Sequence, residues 1–120
     1  PKITNISSTI AAFAALDEDG KVYVWGYSVH GGILPLNHTL KHNNNYLPPK
    51  ITNISSTGNA FAALDEYGKV HVWGQKGNGG SLPITLDHNK DKLPKITNIY
   101  STEWAFNAID EDYKVYSWGG

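Results

Sequence analysis

The side chains with the most chemical potential in this sequence are its clustered acids, its histidines and its tryptophans. Asp17, Glu18 and Asp19 stand together and are echoed by Asp65-Glu66 and Asp110-Glu111-Asp112. Clustered carboxylates suit calcium, but a calcium loop alternates its oxygen ligands and ends in a bidentate Glu, and this spacing does neither. Lys21, Lys69 and Lys114 stand beside the three clusters, which reads as a solvated hairpin turn. His30, His38 and His42 fall within one loop-like stretch, with His71 and His88 farther on. Imidazoles at intervals of eight and four on a loop have no helix to align them on a metal, so no metal site is assigned.

Nucleophilic catalysis fares no better, because no serine, general base and oxyanion donor can be assembled from these residues. Gly31-Gly32 and Gly77-Asn78-Gly79-Gly80 follow strand-like runs without opening a helix, which removes the context a phosphate cradle needs. No catalytic residue and no cofactor site is assigned, and the chain reads as non-enzymatic. A net charge of −1 with ten Lys and no Arg argues against nucleic acid as a partner, since Arg supplies the bidentate contacts. There is no Cys, so disulfides and thiol chemistry are excluded. No apolar run is long enough for a membrane span. The chain opens on Pro1 and contains no Met, which reads as an excerpt of something longer.

The elements that hold these residues come in repeats. Residues 1–26 match 49–74 at 22 of 26 positions, differing at Ile10, Ala11, Asp19 and Tyr23; they match 94–119 at 19 of 26. Trp25 and Trp73 are 48 residues apart, Trp73 and Trp118 are 45 apart, and the contraction falls after the shared Leu-Pro. A rigid phrase with an elastic connection describes a structural unit plus a surface loop. We divide the chain into unit 1 (1–48), unit 2 (49–93) and a partial unit 3 (94–120), with 27–48 and 75–93 as variable loops.

Within a unit, KVYVWG alternates Val22 and Val24 against Tyr23 and Trp25 on opposite faces of a strand. The run AAFAAL pairs with it as a hairpin through Asp17-Glu18-Asp19-Gly20, whose Gly accepts positive φ. KITNIS supplies another strand, opened by Pro1, Pro49 or Pro94, and a fourth strand is expected in the connection. Both faces of the hairpin are apolar, so each unit needs a neighbour on either side. The fold class is all-β: tandem repeats of 45–48 residues forming antiparallel blades, in a propeller or an open blade array. Expressed alone, the chain is expected to associate or to fold poorly.

The phrase A-F-A-A-L-D-E-D-G-K-V-Y-V-W-G followed by Gly-Gly resembles the repeats of the regulator of chromosome condensation family. The resemblance covers all three units and implies a β-propeller, usually of seven blades with four strands each. Such a ring needs roughly 330 residues at this period. Gly31-Gly32-Ile33-Leu34-Pro35 and Gly79-Gly80-Ser81-Leu82-Pro83 depart from the family's Gly-Gln-Leu-Gly-like continuation, and Tyr113 replaces the turn Gly. The family's founders exchange nucleotide on a small nuclear GTPase and bind nucleosomes. No residues here match those sites, and neither activity is carried over.

Trp25, Trp73 and Trp118 recur once per unit and are assigned to packing between sheets, and His71 is read as a structural replacement for Tyr23. Trp104, where the other units have Ala11 and Asn59, is the expected contact residue. Asn5, Asn37 and Asn53 open Asn-x-Ser/Thr triplets and are candidate glycan acceptors, which favours an extracellular or cell-surface location. The functional expectation is an interaction scaffold that binds a protein partner or identical repeat units. The alternative is a structural protein whose units, carrying glycans, assemble into an extracellular filament or surface layer.

Overall fold

A computed structural model describes residues 2–34, 38–40 and 48–120. It contains three antiparallel sheets, one per repeat, each with its strands in sequence order. Unit 1 holds β1 (Ile3–Ser8), β2 (Ala12–Asp17) and β3 (Val22–Gly26). Unit 2 holds β4 (Ile51–Ser56), β5 (Ala60–Asp65) and β6 (Val70–Gly74). Unit 3 holds β7 (Ile96–Ser101), β8 (Ala105–Asp110) and β9 (Val115–Gly119). The alanine-rich run is a strand in each copy because its partner across the hairpin is β-branched and aromatic.

The spacing Ile-Thr-Asn-Ile does not fit a plain strand, since residues three apart point to opposite faces. The structure resolves this with an irregularity at the same place in every unit. Ile51 pairs with Asp65 while Asn53 already pairs with Leu64, so one extra residue is accommodated at Thr52. The Thr52 hydroxyl donates to the Leu64 carbonyl at 3.1 Å, and Thr4 and Thr97 make the same bond to Leu16 and Ile109. The bulge turns Ile51 and Ile54 onto one face, where both are buried.

Each sheet then has a leading face and a trailing face. In unit 2 the leading face carries Ile51, Ile54, Phe61, Ala63 and Trp73, and it packs against Ala12, Ala14, Leu16, Val22, Leu34 and Leu40 of unit 1. The trailing face of unit 2 (Ala60, Ala62, Leu64, Val70) repeats this against Ile96, Ile99, Phe106 and Trp118 of unit 3. Small alanines on one side and large aromatics on the other let the sheets approach closely. Two polar links recur at each junction. The Trp73 indole N–H donates to the Gly31 carbonyl at 3.1 Å, and Trp118 does so to Gly79 at 3.2 Å. The Ile51 N–H donates to the Gly20 carbonyl at 2.9 Å, and Ile96 to Gly68 at 2.9 Å.

The expected fourth strand is absent from unit 2, which is described throughout. Residues 75–93 form two 3-10 turns, Lys76–Asn78 and Ile84–Leu86, and no strand. The free edge of β6 is covered by side chains instead. His88 Nε2 donates to the Val70 carbonyl at 2.7 Å, and His38 Nε2 donates to the Val72 carbonyl at 2.6 Å. With its carbonyls satisfied by imidazoles, the edge offers little to an incoming strand.

Candidate interaction surfaces

The acidic phrase is a turn, but not a fully solvated one. Asp17, Asp65 and Asp110 are buried, while Glu18, Asp19, Glu66, Glu111 and Asp112 face solvent. Asp65 Oδ1 accepts the N–H groups of Tyr67 and Lys69 at 2.8 and 3.0 Å, and Oδ2 accepts His71 Nε2–H at 2.8 Å. Asp17 does the same with Asp19, Lys21 and the Tyr23 hydroxyl, and Asp110 with Asp112, Lys114 and Tyr116. The first acid of each cluster therefore organises its hairpin. Burial works to raise the Asp65 pKa, but the bonds from His71, Lys69 and Tyr67 outweigh it and hold the carboxyl below its ordinary range.

His71 takes over the role of Tyr23, as its register suggested. It also gains something a tyrosine lacks, a second hydrogen-bonding atom. With Nε2–H committed to Asp65, Nδ1 accepts the Thr39 hydroxyl proton at 2.6 Å. This relay clamps the variable loop of unit 1 onto the turn of unit 2. It lies in an open cleft of about 770 Å³ between the two units, lined by Tyr23, Thr39, Lys50, Asp65 and His71. His38 and His88 lie close by, and burial lowers the pKa of both, opposed by their bonds to backbone carbonyls. Among the described residues no group of three His, Asp or Glu is placed to hold a metal ion, and His42 lies outside them.

A different surface collects the differences between units. Across the 26 aligned positions, two differ in all three copies: Ile10/Gly58/Glu103 and Ala11/Asn59/Trp104. These residues form the turns between β1 and β2, β4 and β5, and β7 and β8. The three turns are strung side by side, with Ile10 N–H donating to the Gly58 carbonyl at 2.9 Å and Gly58 N–H to the Glu103 carbonyl at 2.8 Å. Thr9, Thr57 and Thr102 fix the turns, each hydroxyl oxygen accepting the N–H three residues on. The result is one rim where Ile10 is 76 % exposed and Trp104 56 % exposed. Asn59 is buried instead, bonded to His30 and to Asn78.

Trp104 is thus exposed on a shared rim rather than isolated. Ile10 and Glu103 were not singled out by sequence reasoning, although their three-way difference within a near-identical phrase was visible. Asn5 and Asn53 lie exposed on β1 and β4, and Asn37 lies outside the described residues. Trp73 and Trp118 pack between sheets, stacked on Phe61 and tilted on Phe106. Trp25 stacks on Phe13 at 5.4 Å, but both rings are nearly half exposed.

No protein-family model and no curated protein matches the sequence. Solved structures do. Prp20p of Saccharomyces cerevisiae, a protein with binding properties toward Gsp1p and histones, aligns at 27% identity and TM-score 0.69 over 99% of this chain and 31% of its own. Yeast RCC1 (Prp20) bound to Kap60 aligns at 26% identity and TM-score 0.69, covering 98% and 30%. The ectodomain of the Arabidopsis thaliana receptor kinase ACR4 aligns at 18% identity and TM-score 0.64, covering 98% and 37%. The chain has an RCC1-like repeat fold and spans about a third of the length of these proteins.

Proposed function

We propose that the chain is a non-enzymatic protein-interaction module, of the regulator of chromosome condensation type, whose contact surface is the rim carrying Ile10, Glu103 and Trp104. The observation that carries this reading is the placement of variation. A phrase repeated almost unchanged three times lets two positions differ in every copy, and the fold brings them onto one edge, with an indole turned to solvent. Exposed Trp beside apolar and charged neighbours is the composition of a binding hot spot. Yeast Prp20p, of similar fold, binds proteins, which supports a protein partner for this chain as well.

The test is a photo-crosslinking residue substituted at Trp104 and, as a control, at the exposed Ile84 in the variable loop of unit 2. Applied to extract of the native source, the first is expected to yield a discrete protein adduct that the second does not. Equal adducts from both positions, or an adduct to nucleic acid, would refute the assignment. An extracellular location is part of the same reading through Asn5 and Asn53. Intact-mass measurement of native material should show glycan there, and unmodified residues would remove it.

A further inference from the structure

Beyond the rim, the two outer faces of the array differ in a way that sets a direction. The leading face of unit 1 is built for a neighbour. Ile3, Ile6, Phe13 and Trp25 are 42, 57, 45 and 47 % exposed, while the same residues in unit 2 (Ile51, Ile54, Phe61 and Trp73) are all buried. In units 2 and 3 this face receives the trailing face of the preceding unit, with its indole N–H donating to that unit's Gly carbonyl.

The trailing face of unit 3 has been altered at the points where a following unit would dock. Ala14 pairs with Val24 across the hairpin, and Ala62 with Val72, and all four belong to the cores between units. In unit 3 the equivalent pair is Asn107 and Ser117, both exposed and hydrogen-bonded to each other at 2.5 Å. The turn is changed as well. Gly20 and Gly68 accept the next unit's Ile N–H, and a Cβ at either would lie 2.1 or 2.5 Å from the following Lys side chain and about 3 Å from its backbone. Unit 3 has Tyr113 there, at φ 66 and 82 % exposed, so its side chain occupies that approach.

We infer that unit 3 is a capping blade: its trailing face rejects a unit of this kind, whereas the leading face of unit 1 accepts one bearing the Ala-Leu-Val trailing face of units 1 and 2. A polar outer face keeps a stack of apolar sheets from growing past it. Three substitutions fall on the one surface, and Asn107 with Ser117 forms a compensated pair. The occupant of the leading face is therefore a further consensus unit, not unit 3 of a second copy. End-to-end growth of this chain through its own repeat interface is blocked at unit 3.

The test restores the consensus. The triple variant Asn107→Ala, Ser117→Val, Tyr113→Gly gives unit 3 the trailing residues of units 1 and 2. Sedimentation velocity over a hundredfold range of concentration should show the unaltered chain no larger than a dimer. The triple variant should form a concentration-dependent series beyond the dimer, and adding Trp25→Ala should abolish that series. If the triple variant folds poorly by circular dichroism, the pair Asn107→Ala, Ser117→Val alone carries the comparison. A series beyond the dimer in the unaltered chain that Trp25→Ala removes would overturn the inference. So would a folded variant that grows no further than the unaltered chain.

Discussion

The same substitution made in two copies of the same phrase should give two different results. Trp25 and Trp73 occupy identical sequence contexts and each pairs with a Phe, so replacing either with Ala loses a comparable aromatic partner. Trp73 is 1 % exposed, however, and Trp25 is 47 % exposed. A Trp buries roughly 150–250 Å², so about 100 Å² separates the two sites. At about 25 cal/mol per Å² this is about 2.5 kcal/mol. Trp73 also donates to the Gly31 carbonyl, and losing that bond adds about 1 kcal/mol. Trp73→Ala should therefore cost about 3.5 kcal/mol more than Trp25→Ala. In urea melts followed by circular dichroism, with slopes of about 1–3 kcal/mol/M, the Trp73 midpoint should fall lower by 1 M or more. Trp118→Ala, 8 % exposed, should group with Trp73. Equal midpoints for Trp25→Ala and Trp73→Ala would refute the account of packing between units.

Asp65→Ala removes the acceptor of three hydrogen bonds and should destabilise by about 2–3 kcal/mol, with faster amide exchange at Tyr67 and Lys69; unchanged exchange there would contradict the turn assignment. The folded-state pKa values of His38 and His88 lie below the ordinary value of about 6.5, so the fold favours their neutral forms. Their contribution is fully present above about pH 6.5 and is lost as the pH falls through the lowered folded values, a slope that His38→Gln or His88→Gln should flatten. His38 gives the structural reason, since its Nδ1 accepts the Leu40 N–H and protonation would set two donors against each other. Tyr113→Gly relieves a left-handed backbone in a bulky residue and should stabilise by about 0.5–1 kcal/mol, read as a rise in melting temperature. A fall in melting temperature would mean that the Tyr113 side chain contributes packing that its exposure does not suggest.

Much of the fold was legible in the residues themselves. The strands, the hairpin and its Gly turn, and the need for neighbours on both faces follow from a phrase whose strands carry apolar side chains on both sides. The bulge was also encoded, since Ile-Thr-Asn-Ile cannot bury both isoleucines on a regular strand, although the signal is readable only once the strand is known. The fourth strand expected in the connection misled because local composition could not reveal that His38 and His88 would cover the β6 edge from loops. The acidic turn misled for a related reason: Asp17, Asp65 and Asp110 look like surface charge until their backbone donors are seen.

What the sequence determined by itself is the unit: local periodicity and turn chemistry act within a dozen residues and are written there. What only the tertiary structure decided is which copies of identical residues are covered. Trp25 and Trp73 are the same letter in the same phrase, and burial belongs to the neighbour rather than to the residue. The same holds for Asn107, Ser117 and Tyr113, scattered in the chain but gathered on one face once strands pair. It holds too for Ile10, Glu103 and Trp104, brought onto a single rim because three turns hydrogen-bond side by side.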